Sequence, residues 1–320
     1  MAGDRLITAR IMARNAEAED IVSLLLAPLP GEAFPPFEAG AHVELHVADG
    51  IVRPYSLAND PAERDRYLLG ILRESNSRGG SSLVHDTLTE GMEVAIGAPR
   101  NLFPLVAHAG HSILLAGGIG VTPLLAMAHR LHSALSSFEL HVCCRRQNRV
   151  PFDRVLRAGP FASSVQVHLD EGPVEQRLDL RRVLAERRPD SHVYVCGPSG
   201  FIDHVTATAA ELGWPAHAVH LERFDAEPEL SGGAFRVVLS RSGTELLVPA
   251  DRTLAEVLIE HGVPLSISCE RGICGTCLTP VRDGQPDHRD LYQTDEQKAE
   301  NTHMTPCCSR SLSPRLVLDL

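Results

Sequence analysis

Four cysteines toward the carboxyl end carry the plainest chemical signal in this chain. Cys269, Cys274 and Cys277 stand at C-x4-C-x2-C spacing within Cys269-Glu270-Arg271-Gly272-Ile273-Cys274-Gly275-Thr276-Cys277, and Cys307 follows further on. That is the spacing of a loop that wraps a [2Fe–2S] cluster. Iron in such a cluster wants soft, anionic sulfur ligands. Gly272 and Gly275 let the loop turn its N–H groups toward sulfur through backbone conformations that other residues resist. A structural zinc site is the alternative, but zinc sites favour paired C-x2-C halves. Because Cys308 adjoins Cys307, residue type alone leaves two candidates for the fourth ligand.

Three other stretches could hold a phosphorylated, planar cofactor. In Arg53-Pro54-Tyr55-Ser56-Leu57 a guanidinium can grip phosphate. The tyrosine ring can stack on a planar ligand, and the serine hydroxyl can bond a ring heteroatom. Ser77-Arg78-Gly79-Gly80-Ser81 leads into an expected helix, where small residues expose N–H groups to a phosphate. Gly117-Gly118-Ile119-Gly120-Val121-Thr122-Pro123 lies between a strand and a helix, so a pyrophosphate can approach the backbone. It departs from G-x-G-x-x-G in having Thr122-Pro123 where the third glycine would stand. Cys196-Gly197-Pro198 ends another strand, on the edge where such sheets bind ligands.

The elements that must position these residues fall into three blocks. Residues 6–13, 21–26, 42–47, 67–72 and 93–96 read as strands separated by Pro and Gly clusters, which suggests an antiparallel barrel. One helix is expected over 81–88. After residues 99–104 strands and helices alternate, as in a doubly wound parallel sheet: strands over 112–116, 138–144, 165–169 and 191–195, helices over 124–133, 180–187 and 201–213. Residues 225–233 read as a linker. A hairpin over 235–239 and 245–248 follows. Thr253 and Glu256 stand at capping-box spacing at the start of a helix, and further strands are expected over 281–284 and 315–320.

These motifs together resemble the ferredoxin–NAD(P)H reductase superfamily, and the Arg-Gly-Gly-Ser loop resembles its phthalate dioxygenase reductase branch. The resemblance covers essentially the whole chain and extends to the vanillate O-demethylase reductases. It implies a Greek-key β-barrel for flavin over residues 1–103 and a doubly wound α/β domain for nicotinamide over 104–225. A linker over 226–233 and a β-grasp ferredoxin over 234–320 complete the order. On this resemblance Arg53, Pro54, Tyr55 and Ser56 line the flavin, with Ser56 near its reactive edge. Gly70, Ile71 and Leu72 run along the flavin, and Arg78, Gly79, Gly80 and Ser81 hold its phosphate. The branch implies FMN, with FAD left open. Gly118, Ile119, Gly120, Thr122, Arg145, Cys196, Gly197 and Pro198 meet the pyridine nucleotide, NADH in the branch, with NADPH left open. Cys196 lies beside the nicotinamide through packing rather than as a nucleophile, and Phe224 covers the flavin. The pattern C-x-Ser-Arg selects Cys307, with Cys308 turned away if the segment is extended.

The implied activity follows from the cofactors. NADH gives up two electrons as hydride, a [2Fe–2S] cluster takes one at a time, and a flavin does both. The resemblance implies a separate acceptor, a terminal Rieske non-haem iron oxygenase acting on an aromatic or other small substrate. A cytochrome P450 is the alternative acceptor, and a zinc-bound interaction module is the rival for the carboxyl-terminal domain.

Composition sets the outer limits. The chain has 320 residues, 43% apolar and 22% charged, which is ordinary for a folded protein of two or three domains. A net charge of −11 argues against nucleic acid as a partner. The eight cysteines lack the spacing of a disulfide framework, which suits a reducing compartment. Neither a secretory h-region nor a membrane-spanning run is read. The expectation is a cytoplasmic monomer. Of the 16 histidines, the pairs His129/His132 and His42/His46 have no acid or thiol at ligand spacing, so no metal is expected there. Cys143 and Cys144 read as strand residues.

Overall fold

The computed structural model describes residues 6–48, 51–74, 80–224, 230–267, 269–273, 275–290 and 292–320. The chain forms two compact units, Met1–Asp225 and Ala226–Leu320.

The first unit opens with strands β1 (Ile7–Ala18), β2 (Ile21–Pro28), β3 (Ala41–Ala48), β4 (Ile51–Ser56) and β5 (Tyr67–Leu72). Helix α1 (Gly80–Thr87) and strands β6 (Glu93–Ile96) and β7 (Arg100–Asn101) follow. The strands pair in the order β4-β3-β6-β1-β2-β5, with β7 on β3. An antiparallel bridge between Leu57 and Leu69 brings the two edges of this order together, so the sheet closes into the expected barrel. Closure removes the unpaired edges that would otherwise recruit another chain. The alternation of β3 sends Ala41, Val43 and Leu45 into the core, leaving His42, Glu44 and His46 on the other face.

The same unit continues with β8 (His111–Gly117), α2 (Val121–Ser133), β9 (Phe138–Cys144), α3 (Asp153–Ala158), β10 (Val165–Leu169), α4 (Leu180–Ala185), β11 (Ser191–Gly197), α5 (Ser199–Glu211) and β12 (Val219–Arg223). All five strands are parallel, in the order β10-β9-β8-β11-β12. Chain order therefore reverses between β8 and β11, and the carboxyl ends of those strands make the switch point where ligands bind. β8 is buried along its whole length, as a central strand covered on both faces must be. Leu114 and Ala116 face the core shared with the barrel, while Ile113 and Leu115 face a second core under α4 and α5. Barrel and sheet are thus one packed unit rather than two bodies. A Cβ on Gly70 of β5 would stand 2.7 Å from Thr122 and 2.9 Å from Phe152, so only glycine permits that approach.

The second unit contains β13 (Phe235–Leu239), β14 (Glu245–Val248), α6 (Leu254–Glu260), β15 (Thr279–Asp283), β16 (Pro286–Asp287), α7 (Asp295–Glu300), β17 (His303–Met304), β18 (Arg310–Ser311) and β19 (Arg315–Leu318). Its main sheet runs β14-β13-β19-β15-β17, with β13 and β19 parallel and the β13–β14 hairpin antiparallel. This is the β-grasp arrangement. The expected capping box is present on α6: Glu256 N–H donates to Thr253 Oγ1 at 3.1 Å, and Thr253 N–H to Glu256 Oε2 at 2.8 Å. Such a box satisfies two of the backbone donors that a helix start leaves orphaned. Arg310, only 2% exposed, donates to the carbonyls of Arg252, Pro249 and Gly233 at 2.7, 2.9 and 3.1 Å. One guanidinium thereby ties the segment before β13 to the turn ahead of α6.

Among the described residues no helix is long and apolar enough to cross a membrane.

Candidate functional site

At the switch point two glycine loops meet. A Cβ on Gly120 would overlap the Cys196 carbonyl and lie 2.6 Å from Gly197 N, and one on Gly117 would stand 2.8 Å from Pro198. Gly117 and Gly120 are needed for this packing. Gly118 has φ +53° with open space beside it, so there the backbone conformation alone favours glycine. The segment Gly118–Gly120 is a single 3-10 turn before α2, and Thr122 Oγ1 donates to the Ile119 carbonyl at 3.1 Å.

Below the loops lies a cleft of about 780 Å³. Ile21 and Leu72 of the barrel form one wall. Gly118, Ile119, Arg145, Gly197, Pro198 and Phe224 form the other. The cleft also takes in Cys143, Cys144 and Asp170, at the carboxyl ends of β9 and just past β10. Burial pushes the Cys144 thiol up to about 11 and raises Cys143 as well, so both are inert packing groups at neutral pH.

Arg53, Pro54, Tyr55 and Ser56 are not among the residues lining that cleft. Arg53 lies against the start of α1: a Cβ on Gly80 would stand 2.7 Å from Arg53 Cγ and Nε. Arg53 and the small residues Gly80 and Ser81 are therefore brought together, while Arg78 and Gly79 lie outside the described residues. Ser81 Oγ accepts from the Glu74 N–H at 3.1 Å, which fixes the helix entry. Tyr55 is half-buried, and burial pushes its phenol up to about 12. Pro54 pairs with Glu44 across β3–β4. Gly70 and Ile71 point elsewhere than the cleft: Gly70 packs on Thr122 and Phe152, and Ile71 is in the core. Of that trio only Leu72 reaches the cleft.

One acidic residue escaped the sequence reading. Glu222 on β12 is the register partner of Cys196 on β11 and hydrogen-bonds Ser56 of β4. Its Oε2 is buried with no hydrogen-bond partner. Burial pushes its carboxyl up to about 8, against the Ser56 hydroxyl that lowers it. Ser56, Cys196 and Glu222 thus converge from the barrel and from two strands of the parallel sheet. His42, opposite Ser56 across β3–β4, is 5% exposed with an unpaired Nε2, and burial holds its imidazole down to about 4. Orphaned buried polar atoms carry a desolvation cost, so two beside one serine mark a place shaped for a polar ligand edge. The signal in sequence was slight: a single acid on an edge strand with no buried residue.

In the second unit Cys269, Cys277 and Cys307 are buried at 7%, 4% and 3% exposure. Cys274 lies outside the described residues. Arg271 N–H points to Cys269 Sγ at 3.4 Å, and Gly272 N–H to Cys307 Sγ at 3.3 Å. Glu270, Gly272 and Gly275 all have positive φ. A Cβ on Gly272 would overlap Cys308 Sγ, and one on Gly275 would overlap the Tyr292 ring. The segment after Pro306 is a turn, so the condition of an extended chain, on which Cys308 would be turned away, is not met: Cys308 and Ser309 N–H groups both donate to the Thr305 carbonyl, at 3.2 and 2.9 Å. Both cysteines are buried in consequence. Cys308 Sγ is engaged by Thr305 Oγ1 at 3.2 Å. The neighbouring Cys277 and Cys308 thiols, with burial, push Cys307 up. A cation reverses that penalty and deprotonates its thiol ligands, so the donor set and its inward N–H groups fit an iron–sulfur cluster.

Among the described residues no three His, Cys, Asp or Glu side chains stand at metal-holding geometry; one sulfur of the cysteine set belongs to Cys274, outside them. Several histidines instead pair with one another or with an acid, as in His141 Nδ1 to His168 Nε2 at 2.9 Å and His111 Nε2 to Glu139 Oε1 at 3.3 Å.

Comparisons with known proteins agree with this architecture. Residues 237–312 match the family model for a 2Fe-2S iron-sulfur cluster binding domain. A vanillate O-demethylase oxidoreductase of a Pseudomonas species (strain HR199) is 47% identical over 317 residues, 98% of this chain and 100% of its own length. The phthalate dioxygenase reductase of Burkholderia cepacia is 40% identical over 320 residues, 99% and 98%. A solved structure of phthalate dioxygenase reductase superposes with a TM-score of 0.77, covering 99% of this chain and 98% of that one at 40% identity. An intact type IV self-sufficient cytochrome P450 monooxygenase gives 0.81 at 34% identity, over 98% of this chain and 41% of that one.

The chain is a flavin and iron–sulfur oxidoreductase of the reductase type that serves multicomponent oxygenases. It belongs to the family of phthalate dioxygenase reductase and vanillate O-demethylase oxidoreductase, with FMN, a [2Fe–2S] cluster and NADH as its cofactors.

Proposed function

We propose that this protein passes electrons from NADH to a terminal Rieske-type oxygenase, an aromatic dioxygenase or O-demethylase, in the cytoplasm. The observation that carries the reading is the cleft whose walls come from both barrel and parallel sheet, in a chain that also contains the cysteine loop. Bound flavin supplies the exchange between two-electron and one-electron chemistry; the chain supplies binding, orientation and a dry site.

Each residue set then has a defined task. Arg53 neutralises a phosphate at the start of α1, where Gly80 and Ser81 present backbone N–H groups. Gly118, Ile119, Gly120 and Thr122 form the turn that receives a pyrophosphate. Gly197, Pro198 and Phe224 line the cleft beyond it and position the nicotinamide, with Cys196 packed behind. Asp170, beside the exposed Arg145, supports NADH over NADPH, because a carboxylate bonds a ribose hydroxyl and repels a 2′-phosphate. Glu222 keeps its proton at neutral pH, since its carboxyl is pushed up to about 8. It shares a hydrogen bond with Ser56 and adds no negative charge to the buried site. Cys269, Cys274, Cys277 and Cys307 hold the cluster.

Reconstitution tests the reading. The purified protein, given NADH and a panel of Rieske oxygenases with methoxylated or carboxylated aromatic substrates, should support turnover with at least one. The likeness to the self-sufficient P450 monooxygenase favours one second reading, a P450 acceptor. Turnover with P450 partners alone would select it.

A further inference from the structure

A buried carboxylate stands beside the cysteine loop without a part in the scheme above. Asp290 is 1% exposed. Its Oδ2 accepts from Gln293 N–H at 2.7 Å, and its Oδ1 from Ser309 Oγ at 3.5 Å. His288 Nδ1 lies 3.9 Å from Oδ1. The Lys298 ammonium bonds the Asp290 backbone carbonyl, at 2.6 Å, rather than the carboxylate. Ser309 Oγ also meets Thr305 Oγ1 at 2.9 Å, and Thr305 Oγ1 meets Cys308 Sγ at 3.2 Å. Thr305 and Ser309 are 0% and 1% exposed. The network therefore runs from the carboxylate to the thiol next to the fourth ligand. Asp290 also touches the loop's other side: a Cβ on Gly272 would stand 3.0 Å from Asp290 Cα, and Gly272 N–H is the donor to Cys307 Sγ.

We infer that Asp290 is a positioning residue for the cluster. Through Ser309 and Thr305 it fixes the Cys307–Cys308 turn, so that Cys308 stays in the hydrogen-bond network while Cys307 faces the cluster. Its carboxylate, on a residue packed against Gly272, whose amide donates to Cys307 Sγ, opposes addition of an electron. Cluster potentials respond to nearby charge and to hydrogen bonds on sulfur, and a charge in the low-dielectric interior acts more strongly than one in water. The inference rests on the reading of this loop as a [2Fe–2S] site.

A potentiometric titration of the intact holoprotein, followed by electron paramagnetic resonance, tests it. Asp290→Asn keeps the shape and removes the charge. The cluster should become roughly tenfold easier to reduce, an upward shift of about 59 mV for a one-electron couple. An unchanged midpoint overturns the inference. Should Asp290→Asn hold no cluster, Ser309→Ala carries the test, since it leaves the carboxylate and its bond to the Gln293 amide in place. The inference expects altered g values there, because the Thr305–Cys308 pair loses its anchor; unchanged g values and midpoint overturn it. Wild-type protein without a [2Fe–2S] signal would instead overturn the reading of this loop as a [2Fe–2S] site.

Discussion

The two units build their sites in different ways. In Met1–Asp225 the polar groups come from distant strand ends: Ser56 from β4, Cys196 from β11 and Glu222 from β12. Nothing in local sequence joins them; the sheet register and the barrel's packing do. In Ala226–Leu320 the thiols of one short loop meet a second turn, held by polar contacts and a single buried arginine. The first site depends on packed sheets meeting in one core, the second on a few specific bonds. Damage should accordingly spread in the first unit and stay local in the second.

Replacing a cluster ligand should give the largest effect. Cys277→Ser should abolish NADH-driven reduction of cytochrome c while NADH still bleaches the flavin. Persistent cytochrome c reduction at full rate would mean electrons leave the first unit directly. Next comes Arg310→Met, which strips the carbonyls of Arg252, Pro249 and Gly233 of their donor. It should cost the second unit about 3 kcal/mol or more, and calorimetry should show that unit melting earlier with the first unchanged. A single lowered transition for the whole chain would erase the distinction between the units.

Two glycines in one turn sharpen the picture of the first site. Gly120→Ala should cost about 1–3 kcal/mol by overpacking and should weaken NADH binding, because its Cβ meets the Cys196 carbonyl. Gly118→Ala meets no atoms and should cost only the left-handed backbone penalty, about 1–2 kcal/mol. Isothermal titration with NADH should rank Gly120→Ala as the weaker binder, and equal affinities would deny the loop-to-loop packing its role.

The last test concerns pH. Glu222 has a folded-state pKa raised from 4.5 to about 8, so the folded state retains a proton that the unfolded state releases. Stability contributed by this group is therefore lost as pH rises from about 4.5 to about 8. Glu222→Gln should flatten that fall in chemical denaturation measured across the window. A variant whose stability still declined in parallel with wild type would show that Glu222 is not the buried acid responsible.

Contiguity decided what the sequence revealed. The cysteine loop, the capping box of Thr253 and Glu256, and the strand–glycine–helix around Gly118 are local patterns with local causes, and each stands where its spacing predicts. The order of barrel, parallel sheet and β-grasp along the chain was legible for the same reason, from strand spacing and alternation. Glu222 was not, because its importance comes from a register with Cys196 and a contact with Ser56 that lie far away in sequence. Gly70 and Ile71 were read as running along the flavin; the packing of Gly70 on Thr122 and Phe152 and the place of Ile71 in the core come from long-range contacts that no local pattern announces. The conformation of the Cys307–Cys308 segment was likewise left open by the sequence, since the Thr305 carbonyl closes it into a turn through the Cys308 and Ser309 amides.

An anaerobic titration with NADH, followed by visible absorbance and electron paramagnetic resonance, tests the central claim most directly. A flavin holds two electrons and the cluster one, so full reduction should consume about 1.5 NADH per chain, with flavin bleaching and the signal of a reduced [2Fe–2S] cluster both reaching completion. Consumption of about one NADH with no cluster signal, in a protein carrying zinc instead of iron and sulfide, would contradict it.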